Sequence, residues 1–400
     1  MKAWNGRVMG RVMGRTLERA GKLLASAIAV AALAPSGASA QETIRIGVPA
    51  PLSGSFANAG SDIVNAAKLA AAEINRGGGV LGRAVEIVPA DDACDANTGP
   101  MAAQALVRAG VVAAAGGYCS GAALPEMLVF HRAGVPYVLD ASTNPRLTSL
   151  GYPEAFRTIG RDDLESEFVA DFIVKVLHAR RVAVVDDGST YSKGLAEGAV
   201  AALKEKSVEL VFRQTITPGQ TDYTPMLRAL AASRPDVFYY AGYFPEAGLL
   251  ARQARALGLA LTLMAGGAAN DPELMKVGGS ATDGMIVTCE PIPQFMKSAR
   301  PFVKAYAQTY GRPAGPYSAY EYDAVHAIAR AIALAGSPKP ADIAAALKRL
   351  PEYKGATGEI AFDAKGDRRV APYMAMIVRG AAFEPYRRRD AHGRWVDAKE

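Results

Sequence analysis

The stretch GGYCSGA at residues 116–122 places a cysteine where it could act as a nucleophile. Gly117, Cys119 and Gly121 form a G-x-C-x-G pattern. Small residues on both sides of a nucleophile allow a strand to turn sharply into a helix and expose the side chain at the turn. A hydrolase of this kind also needs a histidine base that an acid orients. The motif therefore raises the hypothesis of a cysteine hydrolase that uses Cys119.

The histidines do not favour that hypothesis. The chain has only four, and none stands in an H-x-E arrangement: His131, His178, His326 and His392. His131 and His178 are expected on helix surfaces. The sequence also shows no metal-ligand spacing of Cys and His, and no G-x-x-x-x-G-K-[ST] phosphate loop. We therefore expect no metal, no cofactor and no enzymatic activity.

The first 40 residues have the three-part layout of a secretory signal, with a basic segment, an apolar run and an A-x-A site at 38–40. Cleavage is expected before Gln41, and the apolar run is too short to favour a membrane span. This leader carries six of the 45 Lys/Arg and one of the 39 Asp/Glu. The remaining chain is nearly neutral, so nucleic-acid binding is not expected. The cluster RRRD at 387–390 is interpreted as a solvated tail.

Three cysteines in an exported chain suggest one disulfide and one remaining thiol. A cysteine held in a disulfide cannot attack a substrate. This argument weakens the hydrolase hypothesis further, although cysteine counting alone does not say which two residues pair.

From residue 43 the chain alternates short β-rich runs with helical patterns, and the alternation restarts near residue 167. Strands such as TIRIGV and VPYVLDAS alternate with helices in the first set, and RRVAVVDDG and PDVFYYAG do so in the second. Such alternation predicts parallel βαβ units in three-layer α/β/α halves. The last third predicts helices at 298–310, 317–336 and 340–349, followed by two antiparallel strands.

Several blocks carry a resemblance to a known family: DDACDAN, GGYCSGA, STNPRLTSLGYPEAFRTIG, VFYYAGYFPEAGLLARQARALGL and FDAKGD. Through them the chain resembles the periplasmic leucine/isoleucine/valine-binding proteins of ABC importers. The resemblance implies a type I periplasmic binding fold with two lobes and a three-segment hinge. It places lobe 1 at 41–161 and 290–369, and lobe 2 at 162–289 and 370–400.

The resemblance also implies a disulfide between Cys94 and Cys119 and a ligand site in the cleft. Its expected ligand-binding residues are Ser120, Ala141, Ser142, Thr143, Tyr191, Tyr243, Gly267 and Tyr317. Ser120 and Thr143 are expected to bind a carboxylate, and the Ala141 carbonyl an ammonium. Tyr191 is expected to close over the ligand from the second lobe, Tyr243 matches an aromatic of the neighbouring loop, and Tyr317 matches an aromatic of the first lobe. The alternatives are ordinary ones: Ser120 as a helix N-cap, residues 140–143 as a turn, and the tyrosines as core or surface aromatics.

Two positions depart from the family pattern. Gly267 stands where the family has an acid that pairs with the ligand's α-ammonium, and Ala59 stands where it usually has a large aromatic residue. Losing the acid matters because an unpaired buried ammonium costs several kcal/mol. Asp271, Glu321 or Asp140 are candidates to replace it. A larger ligand, or a carboxylate or amide without an α-ammonium, is therefore an alternative to a branched-chain amino acid.

The sequence thus predicts a periplasmic, mostly monomeric receptor for a small molecule. Its partners would be an amino acid or related carboxylate and the membrane subunits of an ABC permease. A ligand sensor that signals to another protein is the alternative within the same fold.

Overall fold

The computed structural model describes Met1 and residues 43–398, so the expected leader, apart from Met1, lies outside the described residues. The strands are β1 (Ile44–Ala50), β2 (Val85–Asp91), β3 (Ala113–Gly116), β4 (Tyr137–Leu139), β5 (Ala155–Arg157), β6 (Arg181–Asp186), β7 (Glu209–Thr215), β8 (Val237–Tyr240), β9 (Thr262–Ala265), β10 (Ile286–Cys289), β11 (Tyr353–Gly355), β12 (Gly358–Ile360), β13 (Met374–Arg379), β14 (Ala382–Arg389) and β15 (Trp395–Asp397). The helices are α1 (Ala57–Arg76), α2 (Thr98–Arg108), α3 (Ser120–Ala133), α4 (Arg146–Ser149), α5 (Asp162–Lys175), α6 (Thr190–Glu205), α7 (Thr224–Ala232), α8 (Phe244–Ala256), α9 (Glu273–Gly278), α10 (Arg300–Tyr310), α11 (Ser318–Ala335) and α12 (Pro340–Lys348). Within residues 43–398, no helix is long and apolar enough to cross a lipid bilayer.

The strands form two large sheets. The first has the order β2-β1-β3-β4-β5 and is parallel throughout. The second has the order β15-β14-β13-β10-β9-β8-β6-β7, in which β6 to β10 are parallel and β13 to β15 are antiparallel. The two strands predicted near the C-terminus do not pair with each other: β12 pairs with β11, and β13 joins the second sheet.

Both sheets are covered by helices on both faces, as a parallel sheet requires. Along β4, Val138 belongs to one buried apolar cluster, while Tyr137 and Leu139 belong to another on the opposite face. Along β6, Val184 and Val185 divide in the same way. Because side chains alternate along a strand, this division means that each sheet is the middle of three layers.

The chain passes between the two sheets three times: after β5, after β10 and before β13. Ion pairs join the first and third passages, because the buried Asp367 contacts Arg157 at 2.9 Å and Arg161 at 2.6 Å. The Tyr373 hydroxyl also donates a hydrogen bond to the Arg161 carbonyl at 2.8 Å. These contacts hold the connecting segments side by side.

The interpretation of 387–390 as a solvated tail is wrong. Arg387, Arg388 and Arg389 end strand β14, which pairs with β15 in the second sheet. The Arg389 guanidinium forms an ion pair with Asp171 and lies 5.3 Å from the ring of Trp395. The charge run misled the prediction because each arginine is matched by a sheet partner or an acid from another element.

Candidate functional site

A small cavity lies between the two sheets, at the ends where their parallel strands finish. Its lining residues are Tyr118, Ala141, Thr143, Glu165, Tyr191, Tyr243, Gly267, Ala268, Glu290 and Tyr317. Most of them follow strands β3, β4, β6, β8, β9 or β10 within a few residues. Ligands of open α/β sheets bind at such strand ends. The enclosed volume is only about 10 Å³, roughly the room for one water molecule.

The cavity brings together six of the eight expected ligand-binding residues, namely Ala141, Thr143, Tyr191, Tyr243, Gly267 and Tyr317. Ser120 and Ser142 are buried close by but do not line it. The Ser142 hydroxyl donates to the Gly117 carbonyl at 2.7 Å, and the Ser120 oxygen accepts a 3.4 Å bond from the Asn144 amide. Both serines thus hold the loops that surround the cavity.

Aromatic rings form the walls. The ring centroids of Tyr191 and Tyr243 are 5.2 Å apart, those of Tyr118 and Tyr317 5.5 Å, and Phe56 lies 5.0 Å from Tyr243. These distances are those of packed aromatic pairs. Sequence reasoning missed Tyr118, although it lies in the quoted GGYCSGA stretch directly before Cys119.

Two tyrosines also fix the loop after β9 in place. The Ala268 amide donates to the Tyr191 hydroxyl at 3.1 Å, and the Tyr317 hydroxyl donates to the Gly267 carbonyl at 3.0 Å. The Asn144 side-chain amide donates to the Thr190 carbonyl at 2.8 Å. Tyr317 and Asn144 belong to segments packed on the first sheet, and their acceptors belong to the second. These two bonds therefore span the cleft.

Two carboxyl groups line the cavity, those of Glu165 and Glu290, and neither was predicted. Glu165 is 1 % exposed, and its Oε1 accepts hydrogen bonds from the Gly267 amide at 3.1 Å and the Thr288 hydroxyl at 2.9 Å. Burial raises the pKa of Glu165 well above its ordinary value, and the nearby Glu290 raises it further. Burial also raises the pKa of Glu290. The sequence signal for Glu165 was weak, because acids in the first turn of a helix are favoured by the helix dipole alone.

The three acids considered as replacements at position 267 lie elsewhere. Asp271, Glu321 and Asp140 are buried, but none of them lines the cavity. Burial raises the pKa of Asp140 to about 8, and burial and Asp140 together raise that of Glu321. Ala59, the second departure, is a buried residue of α1 and is not part of the lining either.

The predicted disulfide is confirmed. Cys94 and Cys119 are bonded, with their Cα atoms 5.3 Å apart. Cys119 lies between Tyr118 and the start of α3, so the bond anchors the loop that carries a cavity tyrosine. Cys289 is a buried free cysteine whose pKa is raised by burial. Because Cys119 has no thiol in this state, the G-x-C-x-G motif does not present a nucleophile.

Two α/β halves that hold a small aromatic and acidic cavity between their strand ends define a receptor for small molecules, and the comparisons agree with that class. The family model described as periplasmic binding protein matches residues 43–382, so the chain belongs to this family. The chain is 33 % identical over 351 residues to an amino acid binding protein of Pseudomonas aeruginosa, covering 87 % of this chain and 93 % of the relative. It is 35 % identical over 346 residues to the Leu/Ile/Val-binding protein BraC3 of Rhizobium johnstonii, covering 86 % and 93 %.

Among solved structures, the leucine-binding protein LivK of Thermotoga maritima superposes with a TM-score of 0.80 at 29 % identity, covering 86 % of this chain and 97 % of that chain. The prediction of a type I periplasmic binding fold is confirmed by this likeness and by the two sheets.

Proposed function

We propose that this protein is the extracytoplasmic receptor of an ABC importer and that it binds a hydrophobic amino acid in the cavity between the two sheets. The observation that carries the proposal is the lining of the cavity: tyrosines, Ala141 and Thr143 from the loop after β4, and the two acids Glu165 and Glu290. An amino acid has the matching groups, because its side chain is apolar and its backbone carries one negative and one positive charge. The names of the relatives, which are amino acid and Leu/Ile/Val-binding proteins, support this class.

The proposed mechanism is closure on the ligand. A cavity of about 10 Å³ is too small for an amino acid, so entry requires the two halves to separate. The proposed hinge consists of the three passages between the sheets, with lobe 1 at 41–161 and 290–369 and lobe 2 at 162–289 and 370–400. A ligand that contacts both halves favours the closed state by its differential affinity for that state. The closed, loaded receptor would then dock on the permease subunits in the periplasm, as a monomer and without catalysing a reaction.

A thermal-shift screen tests the proposal. The mature chain is heated with each hydrophobic amino acid and with carboxylates that lack the amino group. A ligand that binds the folded state raises Tm, and at 100 times Kd it stabilises by about 2.7 kcal/mol. We expect at least one branched-chain amino acid to raise Tm and to remain chemically unchanged. The proposal fails if no amino acid produces a shift.

The second candidate is a receptor for an aromatic or aliphatic carboxylate without an α-ammonium. It is favoured by Gly267, which removes the acid expected there, and by the tyrosine-rich walls. In the same screen, this function would give shifts with the deaminated acids and none with the amino acids.

A further inference from the structure

Position 267 lacks the acid of the family pattern, but the carboxyl group of Glu165 lies next to it. A Cβ atom built on Gly267 would lie 3.4 Å from Oε2 of Glu165, which is ordinary van der Waals contact. The carboxylate of Glu165 therefore lies beside the point where a side chain at 267 would begin. Glu165 reaches this point from α5, 102 residues earlier in the chain.

The position of this carboxylate is well determined. Its Oε1 accepts bonds from the Gly267 amide and the Thr288 hydroxyl, and both donors lie in the second sheet or the loop that follows β9. With only 1 % of Glu165 exposed, neighbouring side chains restrict its rotation. Such support is what a charged binding group needs in order to hold one geometry.

The surrounding charges favour a cation. Glu290 lines the same cavity, and Asp162 lies one turn before Glu165 on α5. The buried Arg157 is a nearby cation: its guanidinium is bonded to Asp367 and also acts electrostatically on Asp162 and Glu290. One guanidinium shared among several buried carboxyl groups leaves the acids in excess, so a positive group on the ligand would stabilise this part of the cavity.

We propose that Glu165 binds the ligand's α-ammonium from α5, in the role that the resemblance gives to an acid at position 267. This inference rests on the proposed function as an amino-acid receptor. It makes α5, not the loop after β9, the source of the charge that distinguishes an amino acid from the corresponding deaminated acid.

The test compares two ligands that differ only in the amino group, leucine and 4-methylpentanoate. Calorimetric affinities are measured for the wild type, for Glu165→Gln and for the matched control Glu167→Gln. Glu167 lies on the same helix, is exposed and pairs with Lys206 at 3.3 Å. We expect Glu165→Gln to weaken leucine binding at least about 10-fold, which is the scale of a lost charge-assisted contact. The same variant should retain binding of 4-methylpentanoate. Glu167→Gln should change neither affinity by more than about twofold.

The outcomes separate this inference from the proposed function. If the wild type binds leucine and Glu165→Gln binds it equally well, the inference is overturned while the function stands. If Glu290→Gln abolishes leucine binding and Glu165→Gln does not, Glu290 is the ammonium partner and the inference is again overturned. If the wild type binds neither leucine nor any other hydrophobic amino acid, the amino-acid receptor fails and the inference falls with it. Binding of 4-methylpentanoate alone would establish the second candidate and also overturn the inference.

A variant that moves the acid from position 165 to position 267 distinguishes a loss of charge from a structural disturbance by Glu165→Gln. In Glu165→Gln/Gly267→Glu the acid returns to the position that the family pattern gives it. A Cβ at 267 meets no atom closer than 3.4 Å, so the backbone there accepts a side chain. We expect the double variant to recover at least part of the preference for leucine over 4-methylpentanoate. Recovery supports a charge role for Glu165, whereas a folded double variant with no preference contradicts it.

Discussion

Raising the pH should strengthen the binding of an amino acid to this protein, because binding should release a proton from the cavity. Burial raises the pKa of Glu165 well above its ordinary value of 4.5, and Glu290 and Asp162 raise it further. In the ligand-free protein the carboxyl group therefore stays protonated to a higher pH than an exposed glutamate. An ammonium ion held against it favours the carboxylate and lowers its pKa. At pH values between the pKa of the carboxyl group in the ligand-bound protein and its pKa in the ligand-free protein, each ligand that binds releases up to one proton.

The size of the effect follows from that stoichiometry. When one proton is released per ligand, affinity rises about tenfold per pH unit, or about 1.4 kcal/mol. The rise begins near the pKa of the bound carboxyl group and ends where the free group is already ionised. Several other groups face Glu165 or its neighbours: Asp162, Glu290, Arg157, Cys289, Tyr191, Tyr239, Tyr317 and Tyr373. Among them, burial raises the pKa of Asp162 to about 7, so this residue can also contribute to the released protons.

Titration calorimetry measures the released protons directly. The binding enthalpy of leucine is recorded at one pH in buffers with different ionisation enthalpies, and its slope against buffer enthalpy gives the number of protons. We expect a clear release from the wild type at pH values above the ordinary glutamate pKa of 4.5, and a release at most about half as large from Glu165→Gln, with Asp162 and Glu290 supplying the rest. Exposed Glu167→Gln should match the wild type. Tight leucine binding without proton release, or an equal release from Glu165→Gln, would refute the reasoning.

Three further predictions concern the loop after β4, the disulfide and the stability of the fold. Thr143→Val should weaken leucine binding about 10-fold in calorimetry, because it removes a hydroxyl that lines the cavity, and Ser120→Ala should cost less; an equal loss would show that Ser120 also contacts the ligand. Replacing Cys94 and Cys119 by serine should lower the free energy of unfolding in denaturant by about 3.5 kcal/mol, the value for a loop of 25 residues; unchanged stability would contradict a persistent disulfide. Because burial raises the pKa of Asp140 from 3.8 to about 8, its contribution to stability is complete below about pH 4 and is lost as the pH rises through 8. Thermal melts of Asp140→Asn should therefore depend less on pH over this range than those of the wild type, and parallel curves would exclude this origin.

The loops of the candidate site could be predicted from the sequence through the family resemblance, and they agree with the rule that parallel strands gather their carboxyl ends at one edge. Thr143 follows β4, Tyr243 follows β8 and Gly267 follows β9, and all three line the cavity. The same reasoning could not decide whether Ser120 or Tyr118 lines the cavity. Both lie at the turn into α3, and only the packed structure shows that the ring reaches the cavity while the hydroxyl accepts a bond from Asn144.

Glu165 was beyond sequence reasoning for a different physical reason. Its helix begins with Asp162, Asp163 and Glu165, a pattern that the helix dipole explains without any ligand. The contact that brings Glu165 next to Gly267 is the hydrogen bond from the Gly267 amide. This contact depends on how α5 packs against the second sheet. A pairing across 102 residues leaves no trace in local patterns. The prediction of a solvated C-terminal tail was wrong for the same reason, because Asp171, the partner of Arg389, lies far away in the sequence on α5.

The position of Glu165, the proposed ammonium partner, on α5 also matters for the proposed closure of the two halves on the ligand. Helix α5 begins at Asp162, directly after the first passage between the sheets, and Glu165 follows within its first turn. Arg161, the residue before the helix, is bonded to Asp367 in the third passage. A ligand charge bound at Glu165 therefore acts within one helical turn of the first passage of the proposed hinge. An acid at 267 would be carried on the loop after β9, which is more than 20 residues along the chain from the nearest passage, after Cys289. The relocated charge keeps the same place in the cavity while joining ligand recognition to the proposed hinge by a shorter covalent path.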